Sequence, residues 1–376
     1  MGKNKRLSCL LAAVLVLPWP AAVHAMPADA TPQGVAVDGA RAAAFAAIMQ
    51  RHGIPGAQLV HVRDGREQAI EYGRMRADGG RAVEADTLFQ AASLSKVVGA
   101  YVTLRLVDRG LIELDRPLWE YWPSPRAKDN PQARRITARM VLNHTTGLKN
   151  WEISPSNPAI DGTPLQSLFE AGARYSYSGE GFYLLQRTLE HLTGRRWERL
   201  AREEVFDVFG MPGSRYLTDP ESAARNANGH GRDGEVLADR VFGWENTAWT
   251  LVTTAREYSR FLQRALYRGE GLTPASHALL KTRSSDAEDQ AVPVPVDPHI
   301  DWSLGVGLET VEGRTRLWHW GDNPGFKAFF MLDPDSGESL VLLTNSENGR
   351  QAFKEVLRLF LGPGEYPAVD WAAAQS

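Results

Sequence analysis

The stretch Ala92-Ser93-Leu94-Ser95-Lys96 is the place where this sequence declares its chemistry. Leu88 to Ala91 leads into it, and the apolar run Val97 to Asp108 follows, ending at Gly110. The pattern predicts a buried helix starting near Val97, with Ser93 at its N-terminus. Unpaired backbone N–H groups at such an end favour developing negative charge. Positions i and i+3 share a helix face, so the Lys96 ammonium can reach the Ser93 hydroxyl. Serine is a poor nucleophile without a base beside it. Ser-x-x-Lys alone is weak, occurring about once by chance in a chain this long. On these residues alone, the plainer reading is a helix cap followed by a solvated lysine.

Two distant segments change that weighting. Tyr175-Ser176-Tyr177-Ser178-Gly179-Glu180-Gly181-Phe182 is an aromatic, glycine-rich turn running into Tyr183-Leu184-Leu185. His319-Trp320-Gly321 lies on a C-terminal strand-like run, followed by Asp322 and by Asn323-Pro324-Gly325-Phe326. Together they resemble the serine β-lactamase and penicillin-binding protein superfamily, most of all its class C-like branch, which also holds esterases and D-amino-acid peptidases. The resemblance runs from about Val37 to Leu361. Supporting segments are Ile54-Pro55-Gly56, Asp86-Thr87-Leu88-Phe89, Leu142-Asn143-His144-Thr145-Thr146-Gly147-Leu148 and Leu332-Asp333-Pro334.

The resemblance implies an α+β, β-lactamase/transpeptidase-like fold: an antiparallel sheet built from both chain ends, flanked by helices, with an inserted, mostly helical lobe. It implies Ser93 as nucleophile, Lys96 as its partner, and Tyr177 as the tyrosine of the second motif, with Tyr175 the runner-up. His319, Trp320 and Gly321 fall at the third motif, and the backbone N–H groups of Ser93 and Asp322 at the oxyanion hole. His319, Trp320, Gly321 and Asp322 are therefore expected at the substrate. There are two departures from the family pattern. Gly179 stands where the second motif has asparagine, and His319 stands where the third has lysine. Both weaken a β-lactamase reading. An imidazole at 319 would carry a charge that varies near neutral pH.

The order of elements read along the chain agrees with that fold. Asp38 to His52 reads as a capped helix, and Ala57–Val62 and Glu67–Tyr72 as a hairpin joined at Asp64-Gly65. Ile136–Asn143 and Glu257–Tyr267 read as helices. Trp151–Pro164 reads as a loop and Thr282–His299 as a long surface connection. Gly305–Thr310, Thr315–Trp318, Phe326–Leu332 and Ser339–Thr344 read as strands, and Gln351–Leu361 as a closing helix. The sheet lobe is expected over about 37–85 and 300–362, and the helical lobe over about 86–299.

Composition narrows the remaining choices. The 376 residues are 43% hydrophobic and 23% charged, with a formal net charge of −3. No basic stripe points to nucleic acid. Lys3, Lys5 and Arg6, the apolar run Leu7–Leu17 and Ala21–Ala25 read as a secretory signal peptide cut after Ala25. Cys9, the single cysteine, lies inside it, so residues 26–376 form one cysteine-free domain with a net charge of −6. Neither metal nor cofactor is expected, because the histidines are scattered and no His-Glu-x-x-His or phosphate loop occurs. No Gly-x-Ser-x-Gly elbow occurs either. His144 reads as a structural hydrogen-bonding residue, while Trp151, Trp249 and Trp320 are candidates for an apolar pocket. The expected activity is that of an exported serine hydrolase, periplasmic or secreted, acting on small esters or on amide bonds near D-amino acids. A β-lactamase or D-Ala-D-Ala carboxypeptidase is the alternative, and a non-catalytic binder of cell-wall fragments a third. Oligomeric state is open.

Overall fold

The computed structural model describes residues 32–218, 223–238, 241–287 and 297–374. The proposed signal segment lies outside them. Strands β1 (Gln33–Gly34), β2 (Gly56–Arg63), β3 (Arg66–Gly73), β6 (Ser285–Asp286), β7 (Ile300–Trp302), β8 (Gly307–Val311), β9 (Arg314–Asn323), β10 (Phe326–Leu332) and β11 (Ser339–Thr344) form one nine-stranded sheet. Its order is β1-β3-β2-β11-β10-β9-β8-β7-β6. Every pairing is antiparallel except the short β1–β3 contact. The N-terminal hairpin joins the C-terminal strands directly, through β2 against β11. This is the α+β fold with a sheet from both chain ends. A separate pair, β4 (Phe89–Gln90) with β5 (Val252–Thr253), sits beside the Ser93 turn.

The local chemistry explains the turns. Asp64 and Gly65 both adopt positive φ, 53° and 69°, as a two-residue hairpin of matching twist requires. Asp38 caps the Gly39–Arg51 helix by accepting from Ala40 N. The central strands β10 and β11 are buried along their whole length, so they read as continuous apolar runs rather than alternating ones. Their alternate side chains feed two cores. One, with Ala328, Phe330, Val341 and Leu343, faces the Ser95–Asp108 helix and the inserted helical segments. The other, with Phe329, Met331, Leu340 and Leu342, faces the Gly39–Arg51 and Gly349–Leu361 helices.

Several expected elements shift. The helix expected over Ile136–Asn143 is only Ala138–Leu142, because Thr137 takes extended backbone and caps it by accepting from Met140 N. Glu257–Tyr267 divides into an α-helix, Ala255–Phe261, and a π-helical turn, Leu262–Tyr267. Within the expected surface connection, Ser285–Asp286 pairs with β7 as the sheet edge; positions 288–296 of that reading lie outside the described residues. The Pro367–Ala374 helix was not anticipated. It carries Trp371 into the second core. No helix among the described residues is long and apolar enough to cross a membrane.

Candidate active site

Ser93 lies in a single 3-10 turn, Ala92–Leu94, and the α-helix proper begins at Ser95, slightly earlier than the apolar run suggests. Ala92 has φ of 49°, a conformation that costs energy for a residue with a Cβ. The turn is held from outside. Ser95 Oγ donates to Ala92 O and accepts from Leu251 N, and Ala91 N donates to Leu251 O. Tyr216 and Tyr258 donate their hydroxyls to Ser95 O and Leu94 O.

Lys96 extends from the first turn of that helix and is 1% exposed. Its Nζ lies 3.1 Å from Ser93 Oγ and donates to Ala248 O at 2.9 Å. It sits 4.7 Å from the centre of the Tyr177 ring and has no carboxylate partner among the described residues. Burial without a counter-charge pushes the Lys96 pKa well below its ordinary value.

Tyr177 is positioned by the turn at His144, a residue with φ of 58°. The His144 carbonyl accepts from Ser176 N, and its ring Nδ1 accepts from Ser178 N, so His144 grips the chain on both sides of Tyr177. The two rings stack at 4.3 Å. Ser178 then caps the Gly179–Thr193 helix by accepting from Gly181 N. Burial raises the Tyr177 pKa above the usual phenol range, with a smaller opposing pull from the Ser93 hydroxyl and a further push from the Asp322 charge. Tyr175 is instead buried against Trp302 and Trp371, away from Lys96. His144 is thus a structural hydrogen-bonding residue, and Tyr177, not its runner-up, faces Lys96.

His319 overturns one expectation. Its side chain is fully buried between Trp302, Trp320 and Tyr177, and Nδ1 donates to Trp320 O. Burial, with the nearby Lys96, drives its pKa down to about 3. It stays neutral throughout the physiological range and offers no variable charge. His319 Nε2, His144 Nε2 and Tyr175 Oη are buried in this aromatic cluster with no hydrogen-bond partner among the described residues. Trp320 is 5% exposed and packs on Tyr177 at 4.8 Å, so it backs the site rather than lining an open pocket. Trp249 is also buried, against Phe242.

Two glycines show how closely the parts approach. A Cβ on Gly321 would stand 2.3 Å from Ala91 O, so only glycine lets β9 lie against the Ser93 turn. A Cβ on Gly179 would stand 2.2 Å from the Trp151 ring. The indole therefore fills the space into which a larger residue at 179 would project. Sequence reasoning named Trp151 only as a pocket candidate; nothing local could pair it with Gly179. Asp322 adds a feature the sequence did not reveal. Its carboxylate pairs with Lys327 Nζ at 2.8 Å and with Arg350.

The chain matches the β-lactamase family profile over residues 41–360. It is 27% identical over 341 residues to "Penicillin-binding protein 4" of Amycolatopsis lactamdurans, covering 85% of this chain and 88% of that protein. Among solved structures it resembles "A class C beta-lactamase" at TM-score 0.72 and 18% identity, covering 87% of this chain and 98% of the other. It also resembles "D-alanine Carboxypeptidase AmpC from Burkholderia cenocepacia" at TM-score 0.70 and 18% identity, covering 85% and 97%. At those identities the two structures establish the fold alone.

Proposed function

The chain belongs to the β-lactamase family of serine hydrolases, and from that premise we propose that it is an exported esterase working through an acyl-enzyme on Ser93. The observation that carries the reading is the buried, uncompensated Lys96 amine 3.1 Å from Ser93 Oγ. In this scheme neutral Lys96 removes the Ser93 proton as Oγ attacks the substrate carbonyl. The backbone N–H groups of Ser93 and Asp322 stabilise the oxyanion. Tyr177, whose raised pKa keeps it protonated, returns a proton to the departing group, and Lys96 replenishes it. Water then attacks the acyl carbon and releases the acid. Residues 26–376 form the hydrolase domain, and residues 1–25 the cleavable export signal.

Two features support esters over β-lactams. Trp151 stands where an amide side chain at 179 would hold a substrate amide. Neutral His319 gives no fixed cation for a substrate carboxylate. An activated ester needs neither aid. The solved D-alanine carboxypeptidase with the same fold keeps peptide cleavage as the second reading.

The test is a panel of p-nitrophenyl acetate, nitrocefin and a D-Ala-D-Ala peptide, run with wild type and Ser93→Ala. Ester turnover should dominate. Ser93→Ala should lose both turnover and labelling by a fluorophosphonate. Labelling that persists in Ser93→Ala removes Ser93 from the covalent step, and dominant nitrocefin turnover makes the protein a β-lactamase.

A further inference from the structure

We infer that Asp322 is a specificity-determining residue: its carboxylate occupies the position a substrate carboxylate would need, and so selects substrates whose departing half is uncharged. The inference deepens the Ser93 hydrolase reading and rests on it.

The geometry is a charge cluster at the end of β9. Asp322 Oδ1 meets Lys327 Nζ at 2.8 Å, and its other oxygen meets Arg350. Lys327 also reaches Glu347 at 2.8 Å and the carbonyl of Asn323. Glu347 in turn accepts from Gly325 N. The cations lie beneath the acid. The side chains of Lys327 and Arg350 are 5% and 14% exposed, whereas that of Asp322 is 34% exposed. An incoming carboxylate could pair with Lys327 and Arg350 only by displacing the Asp322 oxygens.

Position ties the cluster to catalysis. Asp322 follows Gly321, whose Cα lies against Ala91, two residues before Ser93. Trp320, two residues before Asp322 on β9 and on the same face of the strand, packs on the ring of Tyr177 at 4.8 Å, and Tyr177 is the proposed proton donor to the departing group, so Asp322 stands on the departing side. The buried His319 ring supplies no cation to offset it, since burial keeps that imidazole neutral near physiological pH. Lys327 and Arg350 face the carboxylates of Asp322 and Glu347, Arg232 adds its charge beside Glu347, and Asp322 is the outermost member of the group. A carboxylate arriving there meets a like charge with its partners already taken, and like charges disfavour one another in a partly desolvated cleft.

The experiment uses the full-length protein as it is exported and a matched pair: 3-carboxyphenyl phenylacetate and its methyl ester, with phenol release corrected for reaction with hydroxide. Wild type should favour the methyl ester in kcat/KM by about tenfold or more. Asp322→Asn keeps the backbone N–H and the side-chain shape and removes the charge. It should move the ratio toward the acid by about tenfold, whatever happens to either rate alone. Adding Arg350→Ala to Asp322→Asn should take that gain away. A wild-type ratio near one overturns the proposal even if no variant folds, as does a ratio unmoved by Asp322→Asn. Failure of wild type to turn over either ester sinks the hydrolase reading itself, and this inference with it.

Discussion

Replacing His319 with asparagine should make the protein less sensitive to mild acid. The buried imidazole has its pKa lowered from 6.5 to about 3 by burial and by Lys96. A lowered histidine pKa means that the folded state prefers the neutral ring. Its contribution to stability is complete above the unfolded value near 6.5 and is lost as pH falls toward 3, because the unfolded chain takes up a proton that the folded chain refuses. The full difference, about 3.5 units, corresponds to about 5 kcal/mol. Between pH 7.5 and pH 5 about 2 kcal/mol of it is lost. Asparagine can still donate to the Trp320 carbonyl but cannot titrate. The assay is urea unfolding of wild type and His319→Asn at pH 7.5, 6.5, 5.5 and 5.0. Carboxylates titrate mostly below that range. Burial lowers the pKa of His144, His230 and His277 as well, with the same sign, so only the comparison between the two proteins isolates His319. His319→Asn is expected to be less stable at pH 7.5, through its smaller volume, yet to lose about 2 kcal/mol less on going to pH 5. Parallel pH profiles would refute the reasoning and return His319 to an ordinary, solvent-reachable imidazole.

Three further outcomes follow from the site. The kcat/KM for a neutral ester should rise with pH as Lys96 loses its proton, then stay flat to about pH 9.5, because the Tyr177 pKa lies above the usual phenol value near 10; an alkaline fall between pH 7 and 9 would contradict a protonated Tyr177. Gly321→Ala forces a methyl to 2.3 Å from Ala91 O, about 1 Å inside contact, so β9 must retreat from the Ser93 turn. The kcat/KM should drop about 100-fold with intact folding by circular dichroism, and a change under threefold would show the strand to be compliant. Gly179→Asn should destabilise by about 1–3 kcal/mol through overlap with the Trp151 ring; pairing it with Trp151→Ala should recover most of that in thermal unfolding and raise nitrocefin turnover, and purely additive losses would mean that the two positions do not compete for space.

What could be read in advance follows from the range of the interactions. Ser93 and Lys96 are three residues apart on one helical turn, so local geometry alone places them together, and Asp64-Gly65 encodes its hairpin through backbone conformations that few other residues accept. Tyr177 was reachable because an ordered set of segments matched a family pattern, although the residue that aims it, His144, acts from 33 positions away. The features that escaped depend on burial or on partners distant in sequence. A histidine letter carries no information about solvent. The available signal at 319 was its setting between Trp318 and Trp320 on a strand with both faces buried, which argues for a dry ring and against a titrating one. Gly179 read as a missing contact, whereas the fold brings the Trp151 indole from a loop into the space a side chain there would take. Asp322 read as a backbone donor, and only the pairing of β9 with β10 and the approach of the Gly349–Leu361 helix set Lys327 and Arg350 against its carboxylate. The placement of Ser93, Lys96 and Tyr177 was therefore legible from short-range spacing and motif order, while the contacts among the strand ends, the Trp151 loop and the C-terminal helix, which surround them, follow no local pattern.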